Sequence, residues 1–288
     1  MARYALYIVS FILNHLSYSL ACSFGDVIIA IGFLFIGRKK RIAIENLRTV
    51  FGEEKTEAEI KKIFRSCFYG FGKGMIELMY STGHPEIIKE KVVFENKHYL
   101  DDALAQGNGV VAVSAHFGNF PLLLLRIAQE GYLTKVIMRS ARDQKVEEYF
   151  RKFRKRIGLN VIYTHPRRKC VVRSLEALRN NEFLFIPLDQ HSGSEGSVFV
   201  DFFGKKAATA TGPAVFAMRT KAPIVPVFII RQDNGMHKIV FDKPIAIQER
   251  EDEKKTIEAT IVKITKVIEK YVRQYPQEWS WMHRRWKK

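Results

Sequence analysis

The chain has 288 residues, 47% of them hydrophobic, and carries 47 Lys+Arg against 30 Asp+Glu, a formal net charge of +17. The apolar fraction supplies a full core and excludes a disordered chain, and the length suits one large domain or one domain with an appendage. The basic excess favours an anionic partner, while Cys22, Cys67 and Cys170, odd in number and far apart, exclude a disulfide framework or a zinc site and suit a reducing compartment.

From Tyr4 to Ile36 the sequence is mostly apolar, interrupted by Asn14, His15, Ser17, Ser19, Gly25 and Asp26. Its two clean runs, Tyr4–Leu13 and Val27–Ile36, are each too short to cross about 30 Å of hydrocarbon. They predict a membrane-seated helix or a helical hairpin, with a hairpin buried in the core as the alternative. Arg38-Lys39-Lys40-Arg41 follows, and such a cluster stays cytoplasmic, near anionic headgroups. No small-x-small cleavage site follows a single central apolar run, which argues against a signal peptide. Residues 1–40 are thus set apart as a membrane-associating helical segment, and residues 41–288 as a single domain.

Residues 42–51 read as a helix. A longer helix is predicted over 56–81, where Ile60, Phe64, Cys67, Phe68 and Phe71 recur at helical spacing and Thr56 with Glu59 makes a capping box. Beyond residue 90, β-branched runs alternate with helical segments. The runs are Val92–Glu95, Gly109–Ser114, Thr134–Met138, Leu159–Tyr163, Phe183–Leu188, Ile224–Ile230 and Lys238–Phe241. Helices are predicted at 119–130, 143–157, 169–180 and 211–219, and a last one at 252–274. This alternation predicts an α/β fold with a central, mostly parallel sheet flanked by helices. Runs apolar on both faces, such as Gly109–Ser114, predict strands covered on both sides.

Four places can carry chemistry. Ser114-Ala115-His116-Phe117-Gly118-Asn119-Phe120-Pro121 joins an apolar strand to an apolar helix, which puts His116 at the carboxyl end of a strand, where open α/β sheets bind ligands. Gly118 permits close approach, Pro121 suits a first helical turn, and N–H groups at the helix start favour negative charge. Asp189, in Pro187-Leu188-Asp189-Gln190, follows a second strand and can face the same cleft. Arg139 ends a third strand and suits a phosphate or an oxyanion. Phe202 and Phe203 suit the wall of an apolar groove, Thr209 or Thr211 can cap the following helix, and these four with Gly118 and Asn119 are the expected substrate-binding residues. Plain structural readings stand beside these: a turn histidine, an Asp-rich turn, a solvated helix face for the basic segment Arg151–Arg156 that follows Arg139, and a capping loop. No metal-ligand spacing and no Gly-rich phosphate loop is present, so neither metal nor cofactor is expected.

Taken together, these blocks resemble the lipid A late acyltransferases, the lauroyl- and myristoyl-transferring family of Gram-negative inner membranes. The resemblance runs through Arg41-x4-Asn46-Leu47-x3-Phe51, Ala115-His116-Phe117-Gly118-Asn119, Met138-Arg139 and Asp189-Gln190. It continues through Val198–Gly204 and Ala207–Pro213, and ends with Pro276-Gln277-Glu278-Trp279-x-Trp281-x-His283-Arg284-Arg285-Trp286-Lys287. It implies a fold related to glycerolipid acyltransferases and a place on the cytoplasmic face of the inner membrane. It also implies an O-acyltransferase that takes its acyl chain from acyl-carrier protein and passes it to a hydroxyl of a lipid A precursor or another anionic glycolipid. His116 would be the base, with Arg139 or N–H groups near Gly118 and Asn119 at the oxyanion. No nucleic-acid motif appears, and no Ser or Cys nucleophile arrangement supports a thioesterase or lipase.

One position departs from the family pattern. The family has His, four residues, then Asp or Glu; here Pro121 holds the acidic position. Three readings follow: another acid, with Asp189 the first candidate, orients His116; His116 works unassisted; or the chain binds lipid without catalysing. An ornithine-type lipid is a further acceptor consistent with the resemblance.

Overall fold

The computed structural model describes residues 2–193 and 196–286. The C-terminal block is therefore seen as far as Trp286, and Lys287 lies outside the described residues. Four helices open the chain: α1 (Ala2–Asn14), α2 (Tyr18–Leu34), α3 (Gly37–Phe51) and α4 (Glu57–Tyr80). Then come α5 (Glu86–Lys91), β1 (Val92–Glu95), α6 (His98–Ala105), β2 (Val110–Ser114), α7 (Phe120–Gln129), β3 (Thr134–Met138), α8 (Gln144–Arg156), β4 (Leu159–Tyr163), α9 (Arg167–Arg179) and β5 (Phe183–Pro187). β6 (Ser197–Phe202), β7 (Lys205–Ala210), α10 (Gly212–Thr220), β8 (Ile224–Arg231), β9 (His237–Phe241) and α11 (Glu253–Gln274) complete the regular elements, followed by a short 3-10 turn at Pro276–Glu278.

Seven strands form one sheet in the order β1-β9-β8-β2-β5-β3-β4. Every neighbouring pair is parallel except β8–β9. The sequence predicts this mostly parallel sheet, and the reason is visible in its middle. All of β2 is buried, and its side chains alternate between two cores as the pleat requires. Val111 and Val113 join the core under α11, while Val110 and Ala112 join the core under α7.

Some elements escape the sequence reading. α5 and α6 are too short for a 3.6-residue period to show. The β6–β7 hairpin is missed because Lys205–Ala210 reads Lys-Lys-Ala-Ala-Thr-Ala, with neither a period-2 alternation nor a large apolar side chain. Its turn has Phe203 at φ 54° and Gly204 at φ 75°, the left-handed pair that a two-residue hairpin needs. α3 begins at Gly37, so the basic run Arg38–Arg41 is helical and the boundary drawn at residue 40 falls inside this helix.

α1 and α2 form a hairpin on α4, as one of the N-terminal readings has it. The α2–α4 crossing is close because each helix offers a glycine. A Cβ on Gly25 would stand 2.7 Å from Ile76, and one on Gly72 would stand 2.7 Å from Ile29. Leu13, Ala21, Ile29, Ile76 and Met79 make a small core there. On the other side Ile8, Phe11, Leu20, Val27, Ile31 and Leu34 are 55–78% exposed. Among the described residues no single helix is long and apolar enough to cross a membrane; α2 and α3 reach that length only as a pair bent by 85°.

One buried carboxylate ties α4 to the sheet. Glu77 accepts hydrogen bonds from Arg231 Nη1 and Nη2 at 2.7 and 2.8 Å and from Asn119 Nδ2 at 2.9 Å, and it lies 3.0 Å from His237 Nε2. Burial pushes the Glu77 pKa up, but the His237 and Arg231 hydrogen bonds and charges overcome it and hold the carboxyl at about 2. Because that value lies below the ordinary 4.5, the stabilisation is present above pH 4.5 and is lost as pH falls toward 2. Glu77→Ala leaves a buried charge unpaired and is expected to cost about 3–5 kcal/mol at neutral pH. Urea unfolding of wild type and variant checks this, and the gap between them should shrink in acid.

Candidate active site

β2 and β5 are parallel neighbours whose last paired residues are Ser114 and Pro187. The chain leaves both strands in step, with Leu188 N donating to Ser114 O at 2.9 Å. His116 follows Ser114 by the same number of residues as Asp189 follows Pro187. Register alone therefore brings the imidazole and the carboxylate face to face. His116 Nδ1 donates to Asp189 Oδ1 at 2.8 Å, and Trp279 Nε1 donates to Asp189 Oδ2, also at 2.8 Å. The Asp189 side chain is 2% exposed and that of His116 24%, so the ring alone reaches the surface.

The electrostatics follow from this pairing. Burial pushes the Asp189 pKa up, yet the His116 charge and the hydrogen bonds from His116 and Trp279 pull it down to about 2. Burial works against a charged His116, but the Asp189 charge and hydrogen bond outweigh it and raise the histidine above its usual 6.5. His116 therefore stabilises the fold fully below pH 6.5, and this is lost as pH rises through its raised value; Asp189 contributes above pH 3.8, and this is lost on acidification toward 2.

The stretch after the 3-10 turn runs antiparallel to the His116 loop and closes it. Gly118 N donates to Glu278 O at 2.7 Å, Ser280 N donates to His116 O at 3.0 Å, and Phe117 bridges to Trp279. Gly118 sits at φ 54°, and a Cβ there would stand 2.2 Å from Ile229 O, so only glycine fits. The strap is fastened from both sides. Asn46 Nδ2 donates to the carbonyls of Trp281 and His283 at 2.8 and 2.7 Å. Arg285, 1% exposed, donates to Ala208 O at 2.7 Å and to Thr209 Oγ1 at 2.6 Å, and reaches Gln190 O at 3.2 Å.

Sequence reasoning brings His116 and Asp189 together and does not reach their other neighbours. Gln190 Nε2 lies 3.1 Å from His116 Nε2 and 3.3 Å from Nδ1, and 3.4 Å from His283 Nε2. The His116 and His283 ring centroids are 5.6 Å apart. Gln190, Trp279 and His283 all stand inside the motifs that carry the resemblance; Gln190 follows β5 beside Asp189, while Trp279 and His283 reach the site from beyond α11, which no local pattern signals.

The remaining expected residues take other places. The Gly118 N–H is used by Glu278, so it is not open to an oxyanion. Asn119 caps α7 through Leu122 N, and its amide nitrogen is bound to Gly74 O and Glu77. Arg139 is exposed where β3 ends, with β5 between it and β2. Phe202 does not line a groove: it is 1% exposed and packs on Trp279, Trp286 and Phe203. Phe203 is the turn residue of the hairpin, held by Glu269 through its backbone N–H. Thr209 is buried under Arg285. Thr211 stands at the start of α10, but its hydroxyl donates to Gly196 O at 2.7 Å instead of capping the helix.

A family model described as bacterial lipid A biosynthesis acyltransferase matches residues 1–288. The chain belongs to that family. Membership makes it an acyltransferase. It is similar to the lipid A biosynthesis lauroyltransferase of Escherichia coli K12, with 26% identity over 275 residues, 94% of this chain and 85% of the relative. The palmitoleoyltransferase of the same organism is 26% identical over 276 residues, 94% of this chain and 86% of the relative. A phosphatidylinositol mannoside acyltransferase of Mycobacterium tuberculosis matches 129 residues at 28% identity, 44% of this chain and 40% of the relative. Among solved structures, the 1-acyl-sn-glycerophosphate acyltransferase of Thermotoga maritima aligns with TM-score 0.38 and 13% identity over 85% of this chain and 96% of that one.

In this lipid A acyltransferase family member, Asp189→Asn removes the charge that raises the His116 pKa. Histidine titration by NMR is expected to show the His116 midpoint moving down relative to wild type; an unmoved midpoint would mean that Asp189 does not set it.

Proposed function

We propose that this acyltransferase moves a fatty acyl chain from the thioester of acyl-carrier protein onto a hydroxyl of a lipid A precursor, at the cytoplasmic face of the inner membrane. The observation that supports the chemistry is the buried Trp279–Asp189–His116 chain of hydrogen bonds. With Nδ1–H bound to Asp189, the Nε2 lone pair of His116 is free to accept a proton. Gln190 Nε2 is almost equally far from both ring nitrogens, which puts it beside the ring and off the axis of that lone pair.

The acceptor hydroxyl gives its proton to His116 Nε2 as its oxygen attacks the thioester carbonyl. Asp189 stabilises the imidazolium that forms, the task that the family pattern would give to an acid at position 121. The tetrahedral intermediate collapses, the carbon–sulfur bond breaks, and His116 returns the proton to the leaving sulfur. No acyl-enzyme is required.

Surface chemistry supports the partners. The +17 net charge attracts an acidic carrier and a phosphorylated glycolipid. The exposed apolar stripe on α1 and α2, next to the basic start of α3, has the composition of a helix pair lying in a membrane interface.

The test is acyl transfer by the full chain, with lauroyl-acyl-carrier protein as donor and a lipid A precursor in mixed micelles as acceptor. His116→Ala should lower turnover by about 10²–10⁴-fold, and full turnover in folded variant would sink the reading. Wild-type kcat/KM should rise with pH through a midpoint above 6.5, because the free base forms only above the raised His116 pKa.

A further inference from the structure

An attack on a thioester carbonyl puts negative charge on the carbonyl oxygen, and that oxygen needs N–H donors already in place. The obvious candidates near His116 are committed elsewhere. The Gly118 N–H is held by Glu278 O at 2.7 Å, and the Asn119 amide nitrogen by Gly74 O and Glu77. Among the described residues, two side-chain nitrogens stand close to the His116 ring. One is Gln190 Nε2, 3.1 Å from His116 Nε2; the other is His283 Nε2, 3.4 Å from Gln190 Nε2.

Both residues are held at the main chain, which leaves the side-chain nitrogens to contact each other and the His116 ring. The strap holds His283 by its carbonyl, through Asn46 Nδ2 at 2.7 Å, and leaves the ring to face the site. The Gln190 main-chain carbonyl is held too, by Arg285 Nη1 at 3.2 Å. Buried Arg285 and Asn46 thus fix the main chain that carries the two side chains, and Gln190 Nε2 stands between the His116 and His283 rings.

Resting on the acyl-transfer reading above, we propose that the Gln190 carboxamide and the His283 imidazole are the oxyanion-binding groups of this site. In the attack the oxygen–carbon bond forms, the hydroxyl proton goes to His116 Nε2, and the carbonyl electron pair moves onto an oxygen that displaces the Gln190 Nε2–His283 Nε2 contact and takes an N–H from each, with His283 in its Nε2–H tautomer. In the collapse that pair returns, the carbon–sulfur bond breaks, and the proton passes from His116 to sulfur. Burial and the neighbouring His116 charge hold the His283 pKa below its usual value, so its ring stays neutral and donates a hydrogen bond without competing for the proton.

The experiment uses the full chain with lauroyl-acyl-carrier protein and lipid A precursor. Gln190→Ala and His283→Ala are each expected to lower kcat about 10²-fold with little change in KM. His283→Gln, which restores an N–H, should recover most of the loss, and Gln190→Glu, which sets a negative charge at the oxyanion, should fall below Gln190→Ala. Melting temperatures should match wild type; if His283→Ala fails to fold, the Gln and Glu variants decide. Activity in wild type and its loss in His116→Ala show that the underlying reading stands. If so, near-wild-type kcat in Gln190→Ala and His283→Ala overturns this inference alone, and so does His283→Gln no faster than His283→Ala.

Discussion

A carboxylate buried to 2% exposure must be paired on both oxygens, and Asp189 is. One oxygen takes His116 from the loop after β2, and the other takes Trp279 from the C-terminal strap. Three chain segments far apart in sequence are thereby fixed to one charge. Loosening any of them would leave that charge partly bare, so the arrangement of the site and the closure of the fold are the same constraint.

The same constraint explains how the chain carries Pro121. An acid five positions after the histidine would reach it from the first turn of α7. Here α7 begins conventionally, with Asn119 as cap and proline in the first turn, and no acidic residue there. The charge comes instead from the neighbouring strand, where the parallel register delivers Asp189 to the imidazole. A strand-end acid is held by the sheet itself, and its position does not depend on the rotation of a helix.

Much of this was legible in the amino-acid sequence. The parallel sheet follows from runs such as Val110–Ser114 and Phe183–Pro187 that are apolar on both faces, and His116 and Asp189 follow from their place after those runs. Whether two strands are neighbours, and in which register, is a tertiary fact with no local signature. Distances among His116, Gln190 and His283 were therefore beyond reach, as was the diversion of the Gly118 N–H to Glu278. Phe202 was read as groove lining because an apolar side chain before a Gly turn looks the same on a surface and in a core; only the two tryptophans and Arg285 packed around it decide. Glu77, in the middle of an amphipathic helix, gave no sign that Arg231, His237 and Asn119 would converge on it.

The strap that seals His116 lies beyond every strand and helix of the fold in chain order. All the strands are therefore synthesised before Trp279, His283 and Arg285. A nascent chain at that stage lacks the Trp279 partner of Asp189 and the Arg285 hold on Gln190. The second hydrogen bond to the Asp189 carboxylate thus comes from a segment made after the whole sheet.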